Sequence, residues 1–194
     1  MDVRLPRHDN HGMTSEADRA VLLSVARNAI SGKLQGRRPD PDGYLPPGAE
    51  RPKGTGGVFV TLKIRGNLRG CIGRIRSEDP IVETVSEMAR AAAFEDPRFP
   101  PVSSEEFPEL TIEISRLSPF FPIAADDVKV GVHGLMLRLG YRSGLLLPQV
   151  PGEQGWDRSA FLSGLCRKSG LPDGAWADPD ARLEAFTAEV FGED

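Results

Sequence analysis

One stretch limits what this chain can fold into more than any other. Val58 to Ile64 reads as a strand, Arg65-Gly66-Asn67 reads as a turn, and Leu68-Arg69-Gly70-Cys71-Ile72-Gly73 resumes an extended chain. Two short runs joined by a glycine-bearing turn predict a β-hairpin over 58–64 and 68–76. Glycine inside a strand marks a bulge or a close backbone approach, and here Gly70 and Gly73 bracket a cysteine. Arg69 stands two residues before Cys71, so in regular extended chain both side chains leave on one face. Arg74 and Arg76 follow shortly after. Guanidinium groups near a thiol favour its thiolate and make a cysteine reactive. The competing reading is a small buried hydrophobe, since free cysteine is among the most buried residue types.

The rest of the chain divides into helical and extended segments. Residues 1–13 are polar, carry Arg4, Arg7, His8 and His11, and have no apolar centre; they are expected to form a flexible tail and not a signal peptide. Ser15 and Asp18 have capping-box spacing, and Val21, Leu22, Val25, Ala26, Ala29 and Ile30 recur at helical intervals up to a stop at Gly32. The Pro-, Gly- and Arg-rich stretch from Gln35 to Gly57 predicts an unusually long irregular loop. Asp79 is expected to cap a second helix with Pro80 at its first position, Ile81, Val85, Met88, Ala89 and Ala92 on the buried face, and Asp96-Pro97 at the end. Leu110 to Leu117 alternates as a half-buried strand. A second hairpin spans about Gly134 to Leu139 and Leu145 to Pro148, turning through Gly140 to Gly144. Asp157 starts a helix carrying Phe161, Leu162, Leu165 and Cys166, closed by Gly170. Leu183, Phe186, Val190 and Phe191 fit either a short helix or a strand. Strand pairs separated by helices predict an α+β fold with a mainly antiparallel sheet.

Composition narrows the function classes. A length of 194 residues fits one substantial domain, or a domain with a smaller appendage. The longest apolar runs, such as Leu145-Leu146-Leu147, are far too short to cross a bilayer. Two distant cysteines without a secretory signal predict reduced thiols and a cytoplasmic location. A formal charge of -4 gives no general pull toward nucleic acid or acidic membranes. Lys63, Arg65, Arg69, Arg74 and Arg76 do cluster on the first hairpin, but Phe59 alone is near enough to stack a base, which disfavours nucleic acid.

A cysteine nucleophile needs a base and an orienting group. With His8 and His11 in the tail, His133 is the histidine left for Cys71, set between Gly131 and Gly134 at a strand entrance. A histidine satisfied by the backbone is the competing reading. Glu113 can orient His133 or act as the base itself, and its competing reading is a solvated residue on an outer face. Gln149, Glu153 and Trp156 share a segment that reads as a small-molecule pocket or as a loop anchored by a buried aromatic. Asp96-Pro97-Arg98-Phe99-Pro100-Pro101 is a stiff corner in which Phe99 plugs the core and Arg98 can reach an anion. Cys71 and Cys166 have no Cys or His at ligand spacing, so no metal site is expected.

The hexapeptide Leu68-Arg69-Gly70-Cys71-Ile72-Gly73 resembles the signature of the AMMECR domain, whose bacterial and archaeal members are labelled AmmeMemoRadiSam system protein A. The resemblance extends through Phe59-Val60-Thr61-Leu62, Asp96-Pro97-Arg98-Phe99, Glu113-Ile114-Ser115, His133-Gly134-Leu135, Gly144 to Val150 and Trp156-Asp157. It implies one domain over 14–194, built as a mixed sheet wrapped by helices with a smaller subdomain and a cleft between, the signature strand lying at the cleft's base. It also implies Memo-like and radical SAM pathway partners, and names no cofactor or substrate. The leading expectation is a cytoplasmic enzyme or pathway component with Cys71, His133 and Glu113 in catalysis. The alternative is a non-catalytic module that recognises an anionic or peptide partner through Arg69, the backbone at Gly70 and Gly73, and Gln149.

Overall fold

The computed structural model describes residues 14–193, so the expected tail lies outside the described residues. These residues form four α-helices and eight strands in two four-stranded sheets, an α+β architecture. The chain divides into two compact units, one running through Arg116 and resuming at Glu189, the other spanning Leu117–Ala188.

The first unit contains α1 (Glu16–Leu34), β1 (Val58–Ile64), β2 (Asn67–Arg74), α2 (Ile81–Phe94), β3 (Leu110–Leu117) and β8 (Ala188–Gly192). Its sheet has the order β2-β1-β3-β8, with β1 antiparallel to both β2 and β3. Alternation along β1 sends Val58, Val60 and Leu62, all fully buried, into a core shared with Leu22, Val25 and Ile30 of α1 and Ile81, Val85 and Ala89 of α2. Phe59, Thr61 and Lys63 therefore stand on the opposite, half-buried face.

Local chemistry departs from the sequence reading at both helix boundaries. Ser15 caps α1 by accepting the Asp18 N–H as expected, but the helix passes through Gly32 and ends at Leu34. Gly32 is there because the Tyr44 ring packs against it, and Tyr44 is the buried anchor of the otherwise irregular 35–57 segment. Asp79 does not cap α2: its carboxylate accepts from Arg74, while the first helical N–H, that of Ile81, donates to the Gly54 carbonyl at 2.8 Å. A side-chain cap contributes about 1 kcal/mol, whereas burying each large apolar side chain contributes about 1.5–3 kcal/mol. The apolar face of α2, and not its cap, fixes the helix.

The second unit contains β4 (Phe121–Pro122), β5 (Gly134–Leu139), β6 (Arg142–Leu146), α3 (Val150–Gln154), α4 (Arg158–Lys168) and β7 (Arg182–Phe186), with sheet order β4-β7-β5-β6. The β5–β6 turn is tighter than expected, with Gly140 at φ 58° and Leu139 paired to Arg142. Leu135 and Leu137 of β5 pack with Phe161, Leu165 and Cys166 of α4. The last apolar group is extended and splits between the sheets: Leu183 and Phe186 lie on β7, Val190 and Phe191 on β8. The α+β class and the mainly antiparallel pairing are as expected, with the strands divided between two sheets, one in each unit. Among the described residues no helix is long and apolar enough to cross a membrane.

Candidate functional site

The signature strand β2 is irregular at the position that matters. Leu62 pairs with Gly70 and Lys63 with Leu68, which leaves Arg69 as an extra residue in a β-bulge. The bulge breaks the alternation on which a shared face for Arg69 and Cys71 depended. Arg69 is instead buried, at 9% exposure. Its Nε and Nη2 donate to the two Glu106 oxygens at 2.8 and 2.9 Å, Nη1 donates to the Pro100 carbonyl at 3.0 Å, and Nη2 also reaches the Pro101 carbonyl at 3.4 Å. Glu106, which also accepts the Ser103 N–H, is held down at about 2, foremost by Arg69. The guanidinium is a brace that ties the bulge to the proline-rich corner.

The two glycines serve packing. A methyl group on Gly70 would overlap the Ala92 carbonyl oxygen, so the residue lets β2 lie directly against the end of α2. A methyl group on Gly73 would enter the Phe59 ring, its cross-strand partner. The protein itself fills both sites of close approach.

Cys71 is half-buried and clamped through its main chain. Its N–H donates to Asp96 Oδ2 at 2.9 Å, and its carbonyl accepts from Arg98 Nη2 at 3.1 Å. The Asp96 side chain is 2% exposed and accepts three further bonds from Arg98, through N, Nε and Nη2, at 3.1, 2.9 and 2.7 Å. That pairing, ahead of the Cys71 N–H, holds the Asp96 carboxyl far below the usual carboxylate range. β2 is an edge strand. The carboxylate and the guanidinium take the places of the C=O and N–H of a neighbouring strand, which closes the edge at Cys71.

Thr61 links this thiol to one of the other expected residues. It is the cross-strand partner of Cys71 on β2 and of Glu113 on β3, so the three occupy one row on the half-buried face. The Thr61 hydroxyl donates to Cys71 Sγ at 3.3 Å. Glu113 pairs with Lys63 Nζ at 3.0 Å. Carboxylates also answer two more of the basic cluster, Arg65 through Glu109 and Arg74 through Asp79 and Glu87, as Glu106 answers Arg69. No net basic stripe remains among these four.

His133 belongs to the second unit. Its Nδ1 accepts the Lys129 N–H at 3.2 Å and its own N–H returns to the Lys129 carbonyl, closing a turn against the edge of the Phe121 ring. The neutral ring therefore carries its proton on Nε2, and burial, then Lys129, lowers its pKa. Gln149 is exposed at the start of α3, and the segment expected to be a loop at Glu153 is that short helix. Trp156 packs against Gly164 and the second core, stacked by Arg167. Among the described residues no group of three His, Cys, Asp or Glu is placed to hold a metal ion. Sequence reasoning missed Thr61, Glu106 and the Asp96–Arg98 clamp as parts of the Cys71 surroundings, because no spacing links position 71 to positions 96, 98 or 106.

The fold and this strand define an α+β protein with a main-chain-clamped cysteine on the edge of an antiparallel sheet. The AMMECR1 family model matches residues 23–191, and the chain belongs to that family. It is 41% identical over 187 residues to a protein of Methanothermobacter thermautotrophicus, covering 90% of this chain and 93% of that one. It is 45% identical over 185 residues to a protein of Thermococcus gammatolerans, covering 89% of each. The crystal structure of the uncharacterized protein PH0010 from Pyrococcus horikoshii superposes with a TM-score of 0.72 at 42% identity, over 89% of this chain and 90% of that one.

Proposed function

We propose that this chain is a cytoplasmic component of a modification pathway whose chemistry passes through the thiol of Cys71. One observation carries the reading: Asp96 and Arg98 hold the Cys71 main chain from both sides while its side chain stays half-buried on a polar row. The clamp closes the sheet edge and at the same time holds a half-buried thiol in one place. A reacting atom gains from it, because fixing its position removes orientational entropy from the barrier. Glu113 lies two strand spacings away, roughly 10 Å, so it takes a proton from the thiol only through water. His133 is assigned no step, since its Nδ1 is committed to a turn of the second unit. Memo-like and radical SAM proteins are the partners this reading keeps from the family resemblance.

The test is alkylation of the folded protein by iodoacetamide, read by peptide mass spectrometry with fully buried Cys166 as internal control. Cys71 is expected to react in the native state at least as fast as in the unfolded chain. A Cys71 that stays silent until Cys166 also reacts is a packing residue, and that result overturns the proposal.

A second reading, a non-catalytic module for an anionic or peptide partner, draws on one observation. Arg98 is half-exposed, whereas Arg69, Gly70 and Gly73 are occupied internally. It predicts that Cys71→Ser leaves partner binding unchanged while Arg98→Ala weakens it.

A further inference from the structure

The guanidinium beside Cys71 is only partly used. Arg98 spends Nε and Nη2 on Asp96 and Nη2 on the Cys71 carbonyl, and among the described residues its Nη1 donates to nothing. Its side chain is 54% exposed, against 11% for Arg69. The ring of Phe99 lies 5.6 Å from its central carbon and supports one side. The group is held by a buried carboxylate and bonded to the carbonyl of the residue that carries the thiol, with two N–H donors turned to no protein partner. An arginine kept only to neutralise Asp96 would be satisfied by the same two-point pair without remaining half-exposed at the only solvent-reachable cysteine among the described residues.

Resting on the Cys71 reading above, we propose that Arg98 is the anion-recognition group of that site, so that the molecule meeting the thiol carries a carboxylate or phosphate beside its reacting atom. The free Nη1 edge suits an anionic oxygen, because charge-assisted bonds from guanidinium to oxyanions are short and strong. Asp96 fixes the donor direction before the ligand arrives, so little side-chain entropy is lost on binding.

Two alkylating reagents of nearly equal shape separate this inference from the reading beneath it. Iodoacetate carries a carboxylate next to its reactive carbon, and iodoacetamide is neutral there. With either, the sulfur–carbon bond forms as the carbon–iodine bond breaks, iodide leaves with the electron pair, and the thiol proton passes to solvent. In the native protein the iodoacetate-to-iodoacetamide rate ratio at Cys71 is expected to exceed that of the unfolded chain at least tenfold. Inorganic phosphate should slow the iodoacetate reaction selectively. Arg98→Lys should keep part of the preference, and Arg98→Gln should abolish it. A native ratio equal to the unfolded one, with no phosphate effect, overturns the anion assignment while leaving a reactive Cys71 intact. No reaction with either reagent before unfolding overturns the Cys71 reading itself. The phosphate and ratio measurements use the unmodified chain, so they decide the matter even if the Arg98 variants fail to fold.

Discussion

The two cysteines of this chain occupy opposite kinds of surroundings, one in each unit. Cys166 is fully buried on α4 among Phe161, Leu162 and Leu165, where its sulfur is one more apolar atom. Cys71 sits half-buried on an edge strand, against the Thr61 hydroxyl, with both main-chain polar groups held by a buried acid and an exposed guanidinium. In the first case the fold uses the side chain and ignores the chemistry. In the second a buried carboxylate and a guanidinium hold the main chain on either side of a half-buried side chain. Burial separates the two, and so does the partner of the main chain: backbone N–H groups for the Cys166 carbonyl, side chains for both polar groups of Cys71.

The largest effect that would break the contrast concerns access. Cys166 should be modified only through global opening, so its alkylation in the folded state should be slower than in the unfolded chain by a factor of about 10³ or more, given a stability of about 5–15 kcal/mol. Its rate should climb steeply with denaturant while that of Cys71 stays nearly flat. Comparable rates at the two sites in buffer would erase the distinction.

A smaller effect tests the clamp. Asp96→Asn keeps the shape but leaves mismatched donors facing Arg98 and the Cys71 N–H, and should lower stability by about 2–3 kcal/mol in denaturant titration. The native reactivity of Cys71 should change with it, while the protection of Cys166 should fall only as far as global stability does. A variant with full stability would show that the clamp holds nothing.

Serine substitutions sharpen the comparison further. Cys166→Ser puts an unmatched hydroxyl into an apolar core and should cost about 1–3 kcal/mol, whereas Cys71→Ser faces Thr61 and should cost less than about 0.5 kcal/mol. Thermal denaturation of the pair decides it, and a reversed order would place Cys71 in the core.

The mildest prediction is a pH dependence in which the clamp side takes part. Asp96 and Glu106 have native pKa values below their unfolded ones, the latter at about 2 against 4.5. Such groups stabilise the fold fully above the unfolded value, and that contribution is lost as pH falls toward the native one. The melting temperature should therefore decline between about pH 4.5 and pH 2. Glu106→Gln should flatten part of that decline; an unchanged slope would mean that the Arg69 brace contributes no linkage.

Much of the first unit was legible in the chain. The alternation of Val58 to Ile64, the Ser15–Asp18 cap and the apolar face of α2 are local patterns, and local patterns survive folding. The glycines at 70 and 73 announced close approach, and close approach is what they provide, to Ala92 and to Phe59. What approaches them was not legible. A bulge displaces Arg69 from the face of Cys71, and nothing in the hexapeptide fixes the register that creates it. The division of the last apolar group between two sheets was equally hidden, because Leu183 and Val190 carry the same extended preference whatever strand receives them.

By itself, then, the sequence determined the α+β class, the first hairpin, the three longer helices and the cysteine as the residue to watch, since these depend on periodicity and on residue chemistry within a few positions. Tertiary structure alone decided which arginine braces and which remains open. Arg69 and Arg98 are chemically identical, and their difference is set by what the fold brings to each: Glu106, 37 residues along the chain, encloses one, while the other, paired with Asp96 two residues away, is brought beside Cys71, 27 residues away, with a free edge. Side-chain identity fixes what a group can bond to; only the folded chain fixes which of those bonds are already made.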